Sequence, residues 1–210
     1  MEGRVSELAE LSLLQALRLK GRVAPEAAAA ATGVSEAEAE AALQGLTARD
    51  LASQAKASFR ITAAGKERLA ELLDAERVAV DQGALEPAYE DFDEVNSDLK
   101  AVVTAWQLKD GDTPNDHTDA TYDAGVIERL AALHERFQPL LGRIVEIAPR
   151  LEPYRTRFAS AIEKVQAGEH SFVARPIADS YHTVWFEFHE ELIGLLGRTR
   201  AEEAAAGRAV

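Results

Sequence analysis

The stretch Gly33-Val34-Ser35-Glu36-Ala37-Glu38-Ala39-Glu40, continued by Leu43 and Leu46, decides how the first third of the chain is read. Ser35 followed three residues later by Glu38 is a capping box, in which hydroxyl and carboxylate each satisfy a backbone N–H left over at a helix start. A helix therefore opens at Ser35, with Leu43 and Leu46 on its buried face. Upstream, Pro25 at a helix start and Gly33 at its end bracket a short Ala-rich helix. Before that, Leu8, Leu11, Leu14 and Leu17 recur at helical spacing. Downstream, Leu51–Ala55 and Phe59–Thr62 read as short strands, with Lys56, Ala57 and Ser58 between them. A last helix carries Lys66, Leu69, Leu72 and Leu73. Helix, helix, glycine turn, helix, hairpin, helix is the order of a winged helix-turn-helix domain, expected over residues 1–80. The second helix of such a motif enters the major groove of DNA.

The runs Gly33-Val34-Ser35, Leu43-Gln44-Gly45-Leu46, Arg49-Asp50-Leu51 and Phe59-Arg60-Ile61-Thr62-Ala63-Ala64-Gly65-Lys66 resemble the MarR-type and related winged-helix regulators. In that family a Leu-Thr-x-x-Gly-Arg/Lys segment follows the wing and begins the next helix. The resemblance implies a dimeric DNA-binding transcriptional regulator, with Gln44, Arg49, Lys56 and Arg60 as DNA-facing candidates. A second, looser pattern runs from the Thr62-to-Lys66 segment through Asn96, Leu99-Lys100 and Trp106-Gln107. It ends in Asp179-Ser180-Tyr181-His182-x-x-Trp185-x-x-x-His189-Glu190. That pattern is similar to the C-terminal region of actinobacterial proteins related to phosphoenolpyruvate-utilising, pyruvate phosphate dikinase-like enzymes. It implies a free-standing regulatory or accessory module, since no dikinase nucleotide-binding or phosphohistidine motif is present.

Charge runs against DNA. The third helix begins with Glu36, Glu38 and Glu40, whereas affinity for a polyanion rests largely on Lys and Arg. Acidic residues in a first turn also have a structural role, since they favour the helix dipole and close the capping box. Residues 1–78 hold ten Lys plus Arg and twelve Asp plus Glu, net −2. Lys66 and Arg68 complete the short set of phosphate-binding candidates.

The whole chain of 210 residues carries a formal net charge of −13, which disfavours non-specific binding to nucleic acid or anionic membranes. Residues 79–210 account for most of it, with thirteen Lys plus Arg against twenty-four Asp plus Glu. There is no cysteine, so disulfides, thiolate metal sites and cysteine nucleophiles are excluded. No apolar run is long enough to span a membrane, and no basic-then-apolar leader opens the chain; a cytoplasmic protein without membrane partners is expected.

Gly83 and Pro87 punctuate the segment between the two parts, giving an expected second domain over residues 87–203 and a frayed tail over 204–210. Tyr89, Phe92, Val95, Leu99, Val102, Val103 and Trp106 form one helical stripe. A loop rich in Gly, Pro, Asn and Asp follows, with Thr118 or Asp119 as N-cap of the next helix. That helix runs to Pro149, another spans Leu151 to Ala167, and a last one is expected from Ile177 to about Glu203. The fold class is therefore mainly α, a winged helix-turn-helix followed by an all-α, bundle-like domain for ligand sensing or dimerisation.

Two clusters could hold a small effector. His182, Trp185, Phe186 and His189 recur on one helical face. The Asn115-Asp116-His117-Thr118-Asp119 loop could contribute Asp116 or His117, with Trp106 as a third wall and Arg175 to pair an acidic group. The same residues equally make a packed core and an Asx turn. Neither the zinc-peptidase nor the di-iron spacing occurs, the calcium-loop pattern is absent, and no nucleophile elbow or phosphate loop is present. No metal, cofactor or catalytic residue is indicated. Two functions follow: a DNA-binding regulator, or an accessory module that keeps the scaffold and docks a protein through its acidic third helix.

Overall fold

The computed structural model describes residues 2–109 and 111–205, with the side chains of residues 2–6 left aside. The protein is mainly helical and divides into two compact units, one comprising residues 1–80 with 150–154, the other residues 81–149 with 155–210.

In the first unit, α1 (Glu2–Lys20), α2 (Pro25–Thr32) and α3 (Glu36–Ala48) precede a hairpin of β1 (Ala52–Ala55) and β2 (Ser58–Ile61), and α4 (Ala63–Ala79) follows. The hairpin is antiparallel, pairing Ala52 with Ile61 and Gln54 with Phe59, and Val23 bridges Phe59 from the other side. The reasons are local. Gly33 ends α2 with φ 75°, a left-handed value that costs glycine little. Ser35 accepts from the Glu38 N–H while Glu38 accepts from the Ser35 N–H, so both halves of the capping box are made. Leu11, Leu14, Leu17, Leu43, Leu46 and Phe59 are buried together as the core.

The Thr-x-x-Gly step has a visible cause. Thr62 caps α4, its hydroxyl donating to Asp50 O at 2.6 Å and accepting from Gly65 N at 3.0 Å. Gly65 then passes so close to the turn between α3 and β1 that a Cβ there would lie 2.0 Å from Leu51 O. From the added segment, Arg150 Nε reaches both carboxylate oxygens of Glu76, at 2.8 and 3.0 Å, with both side chains buried.

The second unit starts earlier than its proline suggests. Helix α5 (Gln82–Gln107) is capped by Asp81, and Pro87 lies inside it. Pro87 and Gly83 both face solvent, so the carbonyl that loses its partner to the proline ring is left to water. The expected break at residues 83–87 is thus a continuous helix. The loop after α5 contains a two-residue pair, β3 (Leu108–Lys109) and β4 (Thr113–Pro114), before α6 (Ala120–Ile147) opens on an Asp119 cap. Helix α7 (Pro153–Gln166), α8 (Tyr181–Leu195) and α9 (Arg200–Ala205) complete the described chain.

The last expected helix is corrected at both ends. Ser180, not Ile177, begins α8, because its hydroxyl caps Thr183 N while Ile177 has φ 70°. Gly197 (φ 69°) then separates α8 from α9. Of the expected frayed tail, Ala204 and Ala205 belong to α9, and residues 206–210 lie outside the described residues.

Helix α8 is the centre of this unit. Its residues from Glu187 to Ile193 are all buried, so it is enclosed on every side. Trp185 stacks on Phe92 of α5 (centroids 4.9 Å apart) and packs with Phe137 of α6 (4.6 Å) and Phe158 of α7 (5.8 Å). Among the described residues no helix is long and apolar enough to cross a membrane.

Candidate functional site

The exposed face of α3 presents Glu36, Ala37, Glu40, Ala41 and Gln44. Gln44 Nε2 donates to Gln54 of β1 at 3.2 Å, which ties the helix to the hairpin. Arg49 terminates α3, and its guanidinium pairs with Glu10 of α1 at 2.8 Å. The other carboxylate oxygen of Glu10 takes Arg68 of α4 at 3.0 Å. Burial opposes the charge on Glu10, but the hydrogen bonds from Arg68 and Arg49 outweigh it and hold the carboxyl below its ordinary value. One carboxylate thus serves two of the cations a nucleic acid would need. Lys56 sits at the hairpin turn with φ 58°, and Arg60 lies on the outer face of β2; both are exposed, with no carboxylate partner among the described residues.

In the second unit the two expected clusters separate. Trp185 and His189 are fully buried, and His182 and Phe186 are half-buried. Trp185 Nε1 donates to Asn96 Oδ1 at 3.0 Å, and Phe92, Phe137 and Phe158 fill the space beside the indole. His189 Nε2 lies 2.9 Å from the Tyr89 hydroxyl. Burial lowers the proton affinity of both His182 and His189, the latter to about 4, so each is neutral near pH 7. This face is packed with the unit's own rings.

The loop cluster is assembled differently. His117 and Trp106 are brought together, ring centroids 4.3 Å apart, with His170 edge-on to the same indole at 6.3 Å. His117 Nδ1 is 3.0 Å from Asp123 Oδ2, and Asn115 Nδ2 donates to the other oxygen at 2.8 Å. Asn115 also donates to Trp106 O at 3.1 Å, so one buried amide joins the end of α5 to the start of α6. His117 takes a left-handed φ of 57°, held by its N–H on Asn115 Oδ1. The result is a half-exposed imidazole oriented by a buried carboxylate, the arrangement that fixes a tautomer and turns one nitrogen outward for binding or proton transfer.

Asp116 caps the backbone and hydroxyl of Thr118 instead, and those bonds hold its carboxyl below the ordinary range. Among the described residues no polar contact joins Asp116 or His117 to His182. Arg175 is exposed, and the nearby Asp179 is held by Arg157 at 2.8 and 3.1 Å, with Glu187 on the same guanidinium at 2.5 Å. No group of three or more His, Cys, Asp or Glu among the described residues is placed to hold a metal ion. An open groove of about 550 Å³ lies between α5 and α6, but its charges face each other, Arg136 with Asp98 and Arg143 with Asp91.

The sequence patterns place Tyr89 in the apolar stripe and Asn96 in the looser pattern, and neither pattern assigns them a partner. Each stands within the α5 stripe and carries a polar group into the core, and a lone amide at a buried helical position is the signal that could have revealed Asn96. Comparison with protein-family models, with curated proteins and with solved structures finds no match to this chain.

Proposed function

We propose that the first unit is a winged helix-turn-helix that serves as a protein-docking module, an accessory element that has given up DNA. The observation that carries this is the electrostatics of its presenting surface. Glu36 and Glu40 stand exposed on α3, while Arg49 and Arg68 are both committed to Glu10. A groove-reading helix needs free donors and positive charge where this one offers carboxylates and alanines. A partner with a basic face fits that surface. The resemblance to MarR-type regulators supports the scaffold, and the second resemblance supports an accessory role.

A DNA-binding regulator is the second reading, favoured by Lys56 at the hairpin turn and Arg60 beside it, both free to meet phosphate. Fluorescence anisotropy with duplex DNA flanking the protein's own gene separates the two. We expect no saturable binding even at low salt. Sequence-selective binding that weakens as salt rises would overturn the docking reading. The positive arm places a photocrosslinker at Ala41 in the native host: one recurrent protein adduct, reduced by E36Q/E40Q, is expected.

A further inference from the structure

Helix α9 is six residues long and buries a single side chain, Glu203, at 1% exposure. Ala201, Ala204 and Ala205 face solvent. So short a helix has no stability of its own, and exposed alanines add no apolar burial, so polar contacts hold it in place. Arg200 pairs with Glu190 at 2.7 Å and covers the Phe186 ring. Glu203 goes deeper: its Oε2 accepts from the Tyr89 hydroxyl at 2.5 Å, and its Oε1 lies 3.5 Å from Arg198 Nη1. Arg198 also sits over the Tyr89 ring at 5.0 Å and pairs with Glu86.

The proton count beneath that carboxylate is fixed. Tyr89 has one hydroxyl proton and gives it to Glu203, so the 2.9 Å contact to His189 requires Nε2–H to donate to the phenol oxygen. That places the imidazole proton on Nε2 and leaves Nδ1, fully buried, without a partner among the described residues. The chain from Nε2–H to phenol O–H to carboxylate makes a polarised donor aimed at one spot, with a guanidinium above it. A phenol O–H and a guanidinium are the donors by which proteins hold carboxylates.

We propose that this cluster of donors is a carboxylate-binding site that the chain fills with its own Glu203, and that α9 is its detachable cover. The ligand it takes is an organic carboxylate, whether a small molecule or an acidic residue of a peptide. The site belongs to the second unit and stands independently of how the first unit is used.

The test is chemical rescue in the full chain. E203A is expected to melt several degrees below the parent, and sodium acetate is expected to restore its midpoint saturably, beyond sodium chloride at equal ionic strength. Y89F/E203A is expected to lose that response. A folded E203A that answers acetate and chloride alike overturns the proposal. A capped Ala-Glu-Ala peptide resolves the source: rescue by acetate alone points to a small molecule, by the peptide alone to a protein segment, and by both to the shared chemistry. Should E203A not fold, E203Q carries the test through amide exchange. Loss of a hydrogen bond to a charged group is expected to speed exchange in α9 by about tenfold, with α5 and α8 unchanged. Unaltered α9 exchange overturns the proposal.

Discussion

Arg49 Nη1 and Glu10 Oε2 lie 2.8 Å apart across thirty-nine positions of sequence, joining the end of α3 to α1. The second oxygen of Glu10 holds Arg68, so one carboxylate ties together three of the four helices of its unit. Glu10→Gln is expected to lower the urea midpoint without changing its slope. The loss should be about 1 kcal/mol, because both arginines keep substantial exposure to water. The folded carboxyl titrates below its ordinary 4.5, so its contribution is complete above that pH and disappears as pH falls through the lowered value.

Two glycines in the same unit are expected to respond oppositely to alanine. At Gly65 a Cβ would meet Leu51 O at 2.0 Å and Ile61 Cγ1 at 2.8 Å, and a backbone carbonyl cannot step aside. Gly65→Ala should cost about 3 kcal/mol. At Gly45, exposed inside α3, nothing lies within 4 Å. Gly45→Ala should stabilise by about 0.5–1 kcal/mol, on helix propensity alone. Chemical denaturation of both variants checks the pair.

His189 is expected to make the protein acid-sensitive. Burial, reinforced by the charge of Arg200 and opposed by Glu203 and Glu190, lowers its folded value to about 4 from 6.5. As pH falls through that window the unfolded chain takes up a proton that the folded chain refuses, so stability declines. The loss attributable to this group is at most about 3 kcal/mol. His189→Gln keeps a side-chain N–H and removes the titration, so its stability between pH 6.5 and 4 should fall less steeply than the parent's.

Ile177 is fully exposed with φ 70°, a conformation that its branched Cβ resists. Ile177→Gly is therefore expected to stabilise the fold, by about 1 kcal/mol at most, and so to raise the melting midpoint, against the usual penalty for truncating isoleucine. A lowered midpoint would show that the side chain contributes contacts of its own.

Local chemistry was readable in advance where it is self-contained. The Ser35–Glu38 box, the α6 cap expected at Thr118 or Asp119 and found at Asp119, and the Gly33 terminus each depend on residues within a turn of one another. Pro87 lies inside α5 with its ring toward solvent, where water can meet the carbonyl left without an N–H, and a sequence pattern does not show which way the ring faces. Gly197 closes the apolar run that ends at Leu196, and the charged, Ala-rich residues after it read equally well as a continuation of the same helix. At the candidate site, Trp106 is expected as a third wall and Asp116 or His117 as a reach toward His182; the Trp106 and His117 rings meet instead, and among the described residues no polar contact joins that loop to His182. The partners of Trp185 and His189 could not be inferred, because Asn96 and Tyr89 stand about ninety to a hundred positions away and only tertiary packing brings them close.

The enclosure of α8 bears on how the polypeptide is made. The bonds that seal this unit join its two extremes: Trp185 to Asn96 over 89 positions, Gln82 to Leu195 over 113, Tyr89 to Glu203 over 114. A ribosome that has delivered α5, α6 and α7 has therefore delivered a shell around an empty axis, with Phe92, Phe137 and Phe158 lacking the indole they surround. The first unit draws mainly on the earliest eighty residues and waits only for residues 150–154, whose Arg150 reaches Glu76 over 74 positions, so it is expected to close before the second, which waits for its last helices.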